Sequence, residues 1–168
     1  AIVWTMSFLN DSSIEIPDNI QAHLLIEVDG NDEAVLMSDC EAISEVVMNY
    51  ECGEILFADS QTQKDALWLL RRQVGEAVKS NSIYKEEDTV VPRFELPKLL
   101  KGVKSIGAEY GFKSVCYGHA GDGNLHINII KGDLTDEKWD NELPKAIRKI
   151  FELTVSLKGT LSGEHGIG

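Results

Sequence analysis

The sequence predicts an α+β fold in which helices cover an antiparallel sheet. Apolar residues recur at helical spacing in four segments, and strand-like segments interrupt them without strict β-α-β alternation. Two of the strand-like segments are separated only by a short glycine-rich turn, which is typical of a hairpin. With 168 residues, 43% of them hydrophobic, the chain is long enough for one substantial core, so we expect one domain over residues 1–168.

The first half of the chain predicts two strands and two helices. His23–Val28 has the composition of a buried strand, and Asp29–Asp32 follows it as a turn and helix-cap signal. Helical periodicity then predicts a helix over Glu33–Tyr50 and another over Thr62–Lys79. Between them, Glu54–Ala58 is expected to form a second strand.

The second half predicts a hairpin flanked by helices. The segment Thr89–Pro92 is expected to be extended, and the next helix runs from Leu96 to about Gly111. Strands are predicted at Lys113–Tyr117 and Asn124–Ile130. A final helical region covers Asp136–Leu157, where Pro144 either splits the helix or lies in its first turn.

Charge and composition exclude several classes of function. The chain carries 28 acidic and 16 basic residues, a net charge of −12, whereas nucleic-acid and acidic-membrane binding need a basic surface. An anionic substrate would therefore need a local cluster of cations. No apolar run reaches the roughly 18 residues of a membrane span.

The cysteines predict a cellular compartment, and the two ends of the sequence suggest whether it is a whole protein or a fragment. Cys40, Cys52 and Cys116 are odd in number and form no C-x-x-C pair, so we expect a reducing compartment, the cytoplasm, rather than a disulfide scaffold or a zinc finger. Ala1–Trp4 has no signal-peptide pattern. Both ends look cut, which suggests a fragment of a longer protein.

Glycine, aspartate and histidine are concentrated together in the hairpin segment Gly118–Asn128. Strand alternation places Asn124, His126 and Asn128 on one face. If residues 120–123 form the turn, His119 lies opposite Asn124 and diagonal to His126, at a backbone spacing of about 7–8 Å. Two imidazoles at that spacing can bind one metal ion.

Asp122 is a candidate for orienting one of the imidazoles without itself binding the metal. The motif also has a simpler interpretation. Two histidines at this spacing alone would more often belong to a surface Gly-Asp-Gly hairpin that binds nothing, but three polar residues on one strand face, flanked by glycine turns, favour a site.

A second histidine motif, Ser162–Gly168, ends the sequence. Its glycines are too dense for a regular helix or strand, which predicts a shaped loop. Glu164 would add a carboxylate to the two imidazoles and complete a ligand set used for Zn²⁺, Mn²⁺ or Fe²⁺. His165 would then be available as a general base. The alternative is a frayed tail without a function.

Two arginines are candidates for binding a substrate carboxylate. Arg71 lies at the edge of an apolar helix face, where arginine is usual only when it has a partner. A bidentate contact to a carboxylate would explain it, and so would an ion pair within the protein or a side chain that extends to solvent. Arg93 directly follows Pro92 and is the weaker candidate. Asn128, on the polar strand face, is a third candidate for substrate contact.

Taken together, the two histidine motifs resemble the paired signatures of the C-terminal domain of FAD-linked oxidases. This family includes the glycolate oxidase D subunit, D-lactate dehydrogenase and D-2-hydroxyglutarate dehydrogenase. Leu25–Gly30 and Asp88–Arg93 also fit the family, and the resemblance runs from about residue 20 to the end. It implies a ferredoxin-like α+β cap domain whose antiparallel sheet lies over the flavin.

The resemblance also implies roles for individual residues. His119, His126 and Glu164 fall on the positions that bind a divalent ion, often zinc, in metal-dependent members, and His165 falls on the position of the base. Arg71 resembles the arginine that binds the substrate carboxylate. The family's lysine two residues before the aspartate of the extended segment falls on Glu86, so specificity for a second carboxylate, as in 2-hydroxyglutarate, is not implied.

The implied function is the oxidation of a small D-2-hydroxy acid of the lactate or glycolate type by metal-assisted hydride transfer to FAD. The FAD-binding domain of the family precedes this region, so we expect the isolated chain to bind no FAD and to show no turnover. The residues specify neither the hydroxy acid nor the electron acceptor. A self-contained metal hydrolase and a non-enzymatic metabolite-binding domain remain as alternatives.

Overall fold

Helices and one antiparallel sheet make up the fold, which a computed structural model describes for residues 2–9, 20 and 22–165. The α+β class predicted from the sequence is confirmed. The chain divides into two units, one comprising residues 1–11 and 70–168 and the other residues 12–69.

Over the described residues of the unit 12–69, the only regular secondary structure is helical. Helix α2 spans Glu33–Val47, and the Asp32 carboxylate caps it by accepting from two backbone amides of its first turn. The strands predicted at His23–Val28 and Glu54–Ala58 are wrong, because neither segment has strand structure or a ladder partner. Their apolar side chains stay exposed, so an apolar composition did not suffice to form a sheet.

The helix predicted over residues 62–79 is divided in two. Helix α3 spans Gln61–Arg72, and α4 spans Val74–Asn81 after a break at Gln73. In the unit of residues 1–11 and 70–168, the N-terminal helix α1 (Ile2–Leu9) packs against α4. Apolar residues of both helices are buried, namely Met6, Val74, Ala77 and Val78.

Three antiparallel strands form the sheet of the unit comprising residues 1–11 and 70–168. Strand β1 spans Tyr84–Val90, β2 spans Lys113–Tyr117 and β3 spans Asn124–Ile130, in the order β1-β3-β2. The predictions for β2 and β3 are confirmed. Since β3 is central, its residues are buried along the whole strand.

One face of the sheet packs against two helices. Helix α5 (Leu96–Tyr110) ends at Gly111, which adopts the left-handed conformation with φ of 79°, as expected for a helix C-cap. Helix α6 (Leu143–Ser156) carries Pro144 in its first turn and follows a short π-helical segment, Lys138–Glu142. The core between sheet and helices includes Leu99, Val103, Leu125, Ile127, Ile129, Ala146 and Ile150.

After α6 the chain returns to the sheet. Thr160 forms two backbone hydrogen bonds with Val90 of β1, at 2.8 and 3.1 Å, and so covers the free edge of that strand. The following residues turn over the other, polar face of the sheet. Across the described ranges of the chain, no helix combines the length and hydropathy that a bilayer crossing would need.

Candidate active site

The hairpin between β2 and β3 positions the first histidine. His119 and Asn124 exchange two backbone hydrogen bonds of 3.2 Å, which confirms the predicted pairing. A short 3₁₀ turn, Ala120–Asp122, leads into Gly123, whose φ is 73°. A β-carbon at Gly123 would overlap the carbonyl oxygen of Val91, so this turn requires glycine both for its conformation and for its close packing.

Strand alternation gathers polar side chains on the sheet face opposite the helical core. Asn124, His126 and Asn128 of β3 lie there, as the sequence predicted. On β2, Tyr117 lies opposite His126 and stacks on its ring, with centroids 5.5 Å apart. On β1, the residue opposite His126 is Asp88.

Asp88 holds the terminal loop in place. Its Oδ2 accepts three successive backbone amides, from Gly163 at 3.0 Å, Glu164 at 2.5 Å and His165 at 2.9 Å. Its Oδ1 accepts the side-chain amide of Asn124 at 2.7 Å. The segment 162–165 is therefore a shaped loop over the described residues, as predicted, and one buried carboxylate organises it.

The ionised form of Asp88 suits this role. Burial alone would raise its pKa, but the hydrogen bonds from Glu164, His165, Asn124 and Gly163 outweigh burial and lower the pKa to about 2. Sequence reasoning missed this residue as part of the site. Its only signals were its place in the extended segment before Pro92 and the alternation that puts it on the polar face.

Gly163 allows the loop to approach Asp88 closely. A β-carbon at this position would lie 2.6 Å from Nδ2 of Asn124 and 3.0 Å from Oδ1 of Asp88. The first contact is shorter than a β-carbon makes in a packed structure, the second is tighter than most such contacts, and both partners are buried. Any larger residue at position 163 would push the loop away from the sheet.

The anchored loop brings Glu164 to both hairpin histidines. Its Oε1 lies 3.7 Å from Nε2 of His119, and its Oε2 lies 3.6 Å from Nε2 of His126. Two ligands bound to one ion at about 2.0–2.2 Å, with tetrahedral angles, are roughly 3.4 Å apart. The donor types suit a divalent metal ion, and the two spacings of Glu164 are close to this value. The His126 side chain is 8% exposed, whereas those of His119 and Glu164 are about half exposed.

His165 lies beside this cluster. Its ring is nearly perpendicular to that of His126, with centroids 5.5 Å apart, and the residue is exposed. The hydroxyl of Ser162 donates to its backbone carbonyl. The structure thus places the base predicted from the sequence next to the predicted ligands, on the side open to solvent.

The carboxylates next to His126 are those of Glu86 and Asp88, not that of Asp122 as predicted. Asp122 is exposed on the hairpin turn, whereas Oε1 of Glu86 lies 2.9 Å from Nδ1 of His126 and Oδ1 of Asp88 lies 4.0 Å from it. Within the described ranges, the three residues whose ligand atoms all lie within 4.8 Å of one another are Glu86, His126 and His165, which share only His126 with the predicted set. From the sequence, Glu86 was identified only as a departure from the family pattern.

The three predicted substrate contacts differ in their surroundings. Arg71 donates from Nη2 to the carbonyl of Gly118 at 3.3 Å and lies 5.7 Å from the centre of the Tyr117 ring. Asn128 is fully buried, and its side-chain amide lies close enough to the Tyr117 hydroxyl to favour the ionised phenol, although neither amide atom meets full hydrogen-bond geometry with a described residue. Arg93 is exposed beside the hairpin turn, with its backbone nitrogen near Gly123.

Tyr117 contacts both Arg71 and His126 through its ring. Burial raises the pKa of its hydroxyl, and the negative charge of Glu86 acts in the same direction. The phenol therefore stays protonated at neutral pH. Its O–H group lies on the same face of the sheet as His126, which stacks on the Tyr117 ring.

Comparison with known proteins identifies related chains. Residues 4–168 match the family model described as FAD linked oxidases, C-terminal domain. The chain is 35% identical over 150 residues to a D-lactate dehydrogenase of Anaerostipes hadrus, a match that covers 89% of this chain and 32% of that protein. It is 34% identical over 160 residues to the glycolate oxidase subunit GlcD of Bacillus subtilis, covering 94% and 33%.

A D-2-hydroxyglutarate dehydrogenase of Stutzerimonas stutzeri is 33% identical over 116 residues, which cover 67% of this chain and 25% of that protein. The chain spans about a third of the length of the first two curated relatives. Because the family model covers nearly the whole sequence, the chain belongs to the family of C-terminal domains of FAD-linked oxidases.

Proposed function

We propose that this chain is the cap and substrate-binding domain of an oxidoreductase that oxidises a D-2-hydroxy acid of the lactate or glycolate type. The family supports FAD as the cofactor, and an FAD-binding domain would be the partner of this one. The substrate class comes from the names of the relatives, which are dehydrogenases and an oxidase subunit for 2-hydroxy acids.

One observation carries the metal part of this proposal. The Glu164 carboxylate lies between Nε2 of His119 and Nε2 of His126, at spacings close to those of ligands on one ion. We propose that these three residues hold a divalent ion, with zinc as the first candidate because two nitrogens and one oxygen suit it. Three protein ligands leave a position for substrate oxygen atoms. When bound, such an ion lowers the pKa of a coordinated hydroxyl group.

The surrounding residues would bind and orient the substrate. The Arg71 guanidinium, fixed by Gly118 and the Tyr117 ring, keeps further N–H donors for a carboxylate. Asn128 lies beside the Tyr117 hydroxyl, and its buried amide has no hydrogen bond of full geometry among the described residues, so it would offer a further polar contact to the substrate. Arg93 would contribute a second positive charge from the end of the hairpin.

His165 would take the proton of the substrate hydroxyl. Its ring is next to the metal-ligand cluster and open to solvent, so the proton can leave the site. The Asp88 carboxylate holds the backbone amide of His165 and thereby fixes where the base stands. A bound flavin supplies the acceptor for the C2 hydride.

The test is anaerobic mixing of the full-length protein with a panel of D-2-hydroxy acids, with flavin absorbance as the signal. We expect bleaching with at least one small acid, and strong loss of bleaching in His165→Asn with unchanged metal content. His23→Asn, at the chain's remaining histidine, is the matched control. Bleaching by no 2-hydroxy acid would refute the proposal.

The isolated chain distinguishes the alternatives. We expect it to show no turnover with Zn²⁺ alone, whereas a self-contained metal hydrolase would cleave ester or amide substrates under those conditions. The cytoplasm is the proposed location. The three cysteines, all free in the structure, support it because unpaired thiols persist in a reducing compartment.

A further inference from the structure

Glu86 lies where it can control the buried histidine of the cluster. It belongs to β1, two residues from Asp88 and on the same face of the sheet, with Asn128 as its partner across the ladder. Its Oε1 is 2.9 Å from Nδ1 of His126, and its side chain is 25% exposed. Glu86 is therefore the nearer of the two carboxylates that approach this nitrogen.

The two nitrogens of His126 face different partners. Nε2 faces Glu164 at 3.6 Å, on the side of the proposed metal ion. Nδ1 is buried, and among the described residues no acceptor meets hydrogen-bond geometry with it, so Glu86 makes a close contact with Nδ1 that lies off the N–H direction. A neutral imidazole carries one N–H, and a carboxylate beside Nδ1 favours the tautomer with the proton there. The Nε2 lone pair then points to the metal side.

Glu86 is grouped with His126 and His165 as a possible ligand of one ion, but its spacing from His126 is shorter than that of two ligands on a tetrahedral ion. Two ligands of one ion would stand roughly 3.4 Å apart, as the contacts of Glu164 with the histidines nearly do. The 2.9 Å between Glu86 and His126 is shorter than that spacing and places the negative carboxylate directly beside Nδ1. Tyr117 stacks on the same ring, so the His126 ring has Glu86 beside Nδ1 and Tyr117 against its face.

We propose that Glu86 is a positioning residue that fixes the tautomer and orientation of His126 and so strengthens metal binding at Nε2. This inference rests on the proposed metal site of His119, His126 and Glu164. Carboxylates in this relation to a ligating histidine typically raise metal affinity by 10–100-fold. The structure thus assigns a role to the position at which the sequence departs from the family's lysine.

The test is a titration of this chain with Co²⁺, followed by visible absorption, and with Zn²⁺, followed by calorimetry. We expect Glu86→Gln to weaken binding by about 10–100-fold while the Co²⁺ spectrum of the bound state is unchanged. The matched control is Glu87→Gln, the neighbouring glutamate on the opposite face of β1, which should bind like the unchanged chain. Glu164→Gln should lose most of the binding, because it removes a ligand.

Two further measurements separate positioning from general damage. Urea unfolding should show the same midpoint for Glu86→Gln and Glu87→Gln. Ring ¹H–¹⁵N spectra should show His126 protonated at Nδ1 in the metal-free chain, and Glu86→Asp should keep that tautomer even if Glu86→Gln folds poorly.

Three results would overturn the inference. Undiminished affinity in Glu86→Gln would remove the role of Glu86, and so would a predominant Nε2–H tautomer of His126. Complete loss of binding in Glu86→Gln together with retained binding in Glu164→Gln would make Glu86 a ligand instead. If the unchanged chain bound neither ion, the proposed metal site would fall as well.

Discussion

Asp88→Asn is expected to release the terminal loop and to destabilise the domain. The three backbone amides and the Asn124 side chain all donate to this carboxylate, so an amide at position 88 must turn its own N–H₂ group toward a donor. The pKa of Asp88 falls from 3.8 to about 2 on folding. A shift of this size corresponds to about 2 kcal/mol of stability at neutral pH.

The sign of the pH dependence follows from the lowered pKa. Because the folded state favours the ionised carboxylate, its contribution is complete above the unfolded pKa of 3.8 and is lost as the pH falls through about 2. Urea unfolding at pH 7 should therefore show a loss of about 2 kcal/mol in Asp88→Asn. The difference from the unchanged chain should shrink as the pH is lowered from 5 towards 2.

The control for this experiment is Asp122→Asn, which makes the same change on the exposed hairpin turn. Hydrogen exchange provides the local readout. The amides of Gly163, Glu164 and His165 should lose protection in Asp88→Asn and keep it in the control. Equal stability and equal protection in the two variants would refute the assignment of Asp88 as the anchor of the loop.

Three further predictions concern the loop, the core and the substrate. Gly163→Ala should weaken Zn²⁺ binding about tenfold or more, because the added methyl pushes the loop off the sheet, whereas Gly121→Ala, with nothing within 4 Å of the added carbon, should bind normally in the same calorimetry. Ile127→Ala should lower the free energy of unfolding by about 2–5 kcal/mol, since its side chain is fully buried, whereas Val155→Ala on the surface should change it little in the same urea titration. Arg71→Lys in the full-length protein should raise KM for a D-2-hydroxy acid more than it lowers kcat, because lysine cannot keep the planar, multi-donor contact; an unchanged KM would exclude this arginine from substrate binding.

The hairpin could be predicted from the sequence because its determinants are local. Alternation over residues 124–130 and the glycines of the turn fixed both strands and the pairing of His119 with Asn124. The same local logic failed at His23–Val28 and Glu54–Ala58. An apolar run becomes a strand only when a partner strand is present, and neither segment has one.

The organisation of the site depends on contacts that are distant in the sequence. Asp88 holds amides 75 to 77 residues away, and no spacing rule links such positions. The contact of Glu86 with His126 depends in turn on the register of β1 against β3, which the sequence pattern left open. The types of ligand could therefore be predicted, whereas the groups that hold them required the structure.

X-ray absorption at the zinc K-edge, on this chain loaded with one equivalent of Zn²⁺, tests the central claim most directly. The proposed site predicts a first shell of nitrogen and oxygen at about 2.0–2.1 Å, with imidazole scattering from two histidines. His119→Ala should remove one imidazole, and Glu164→Gln should remove the carboxylate oxygen. A shell containing sulfur at about 2.3 Å, or one that both substitutions leave unchanged, would contradict the claim.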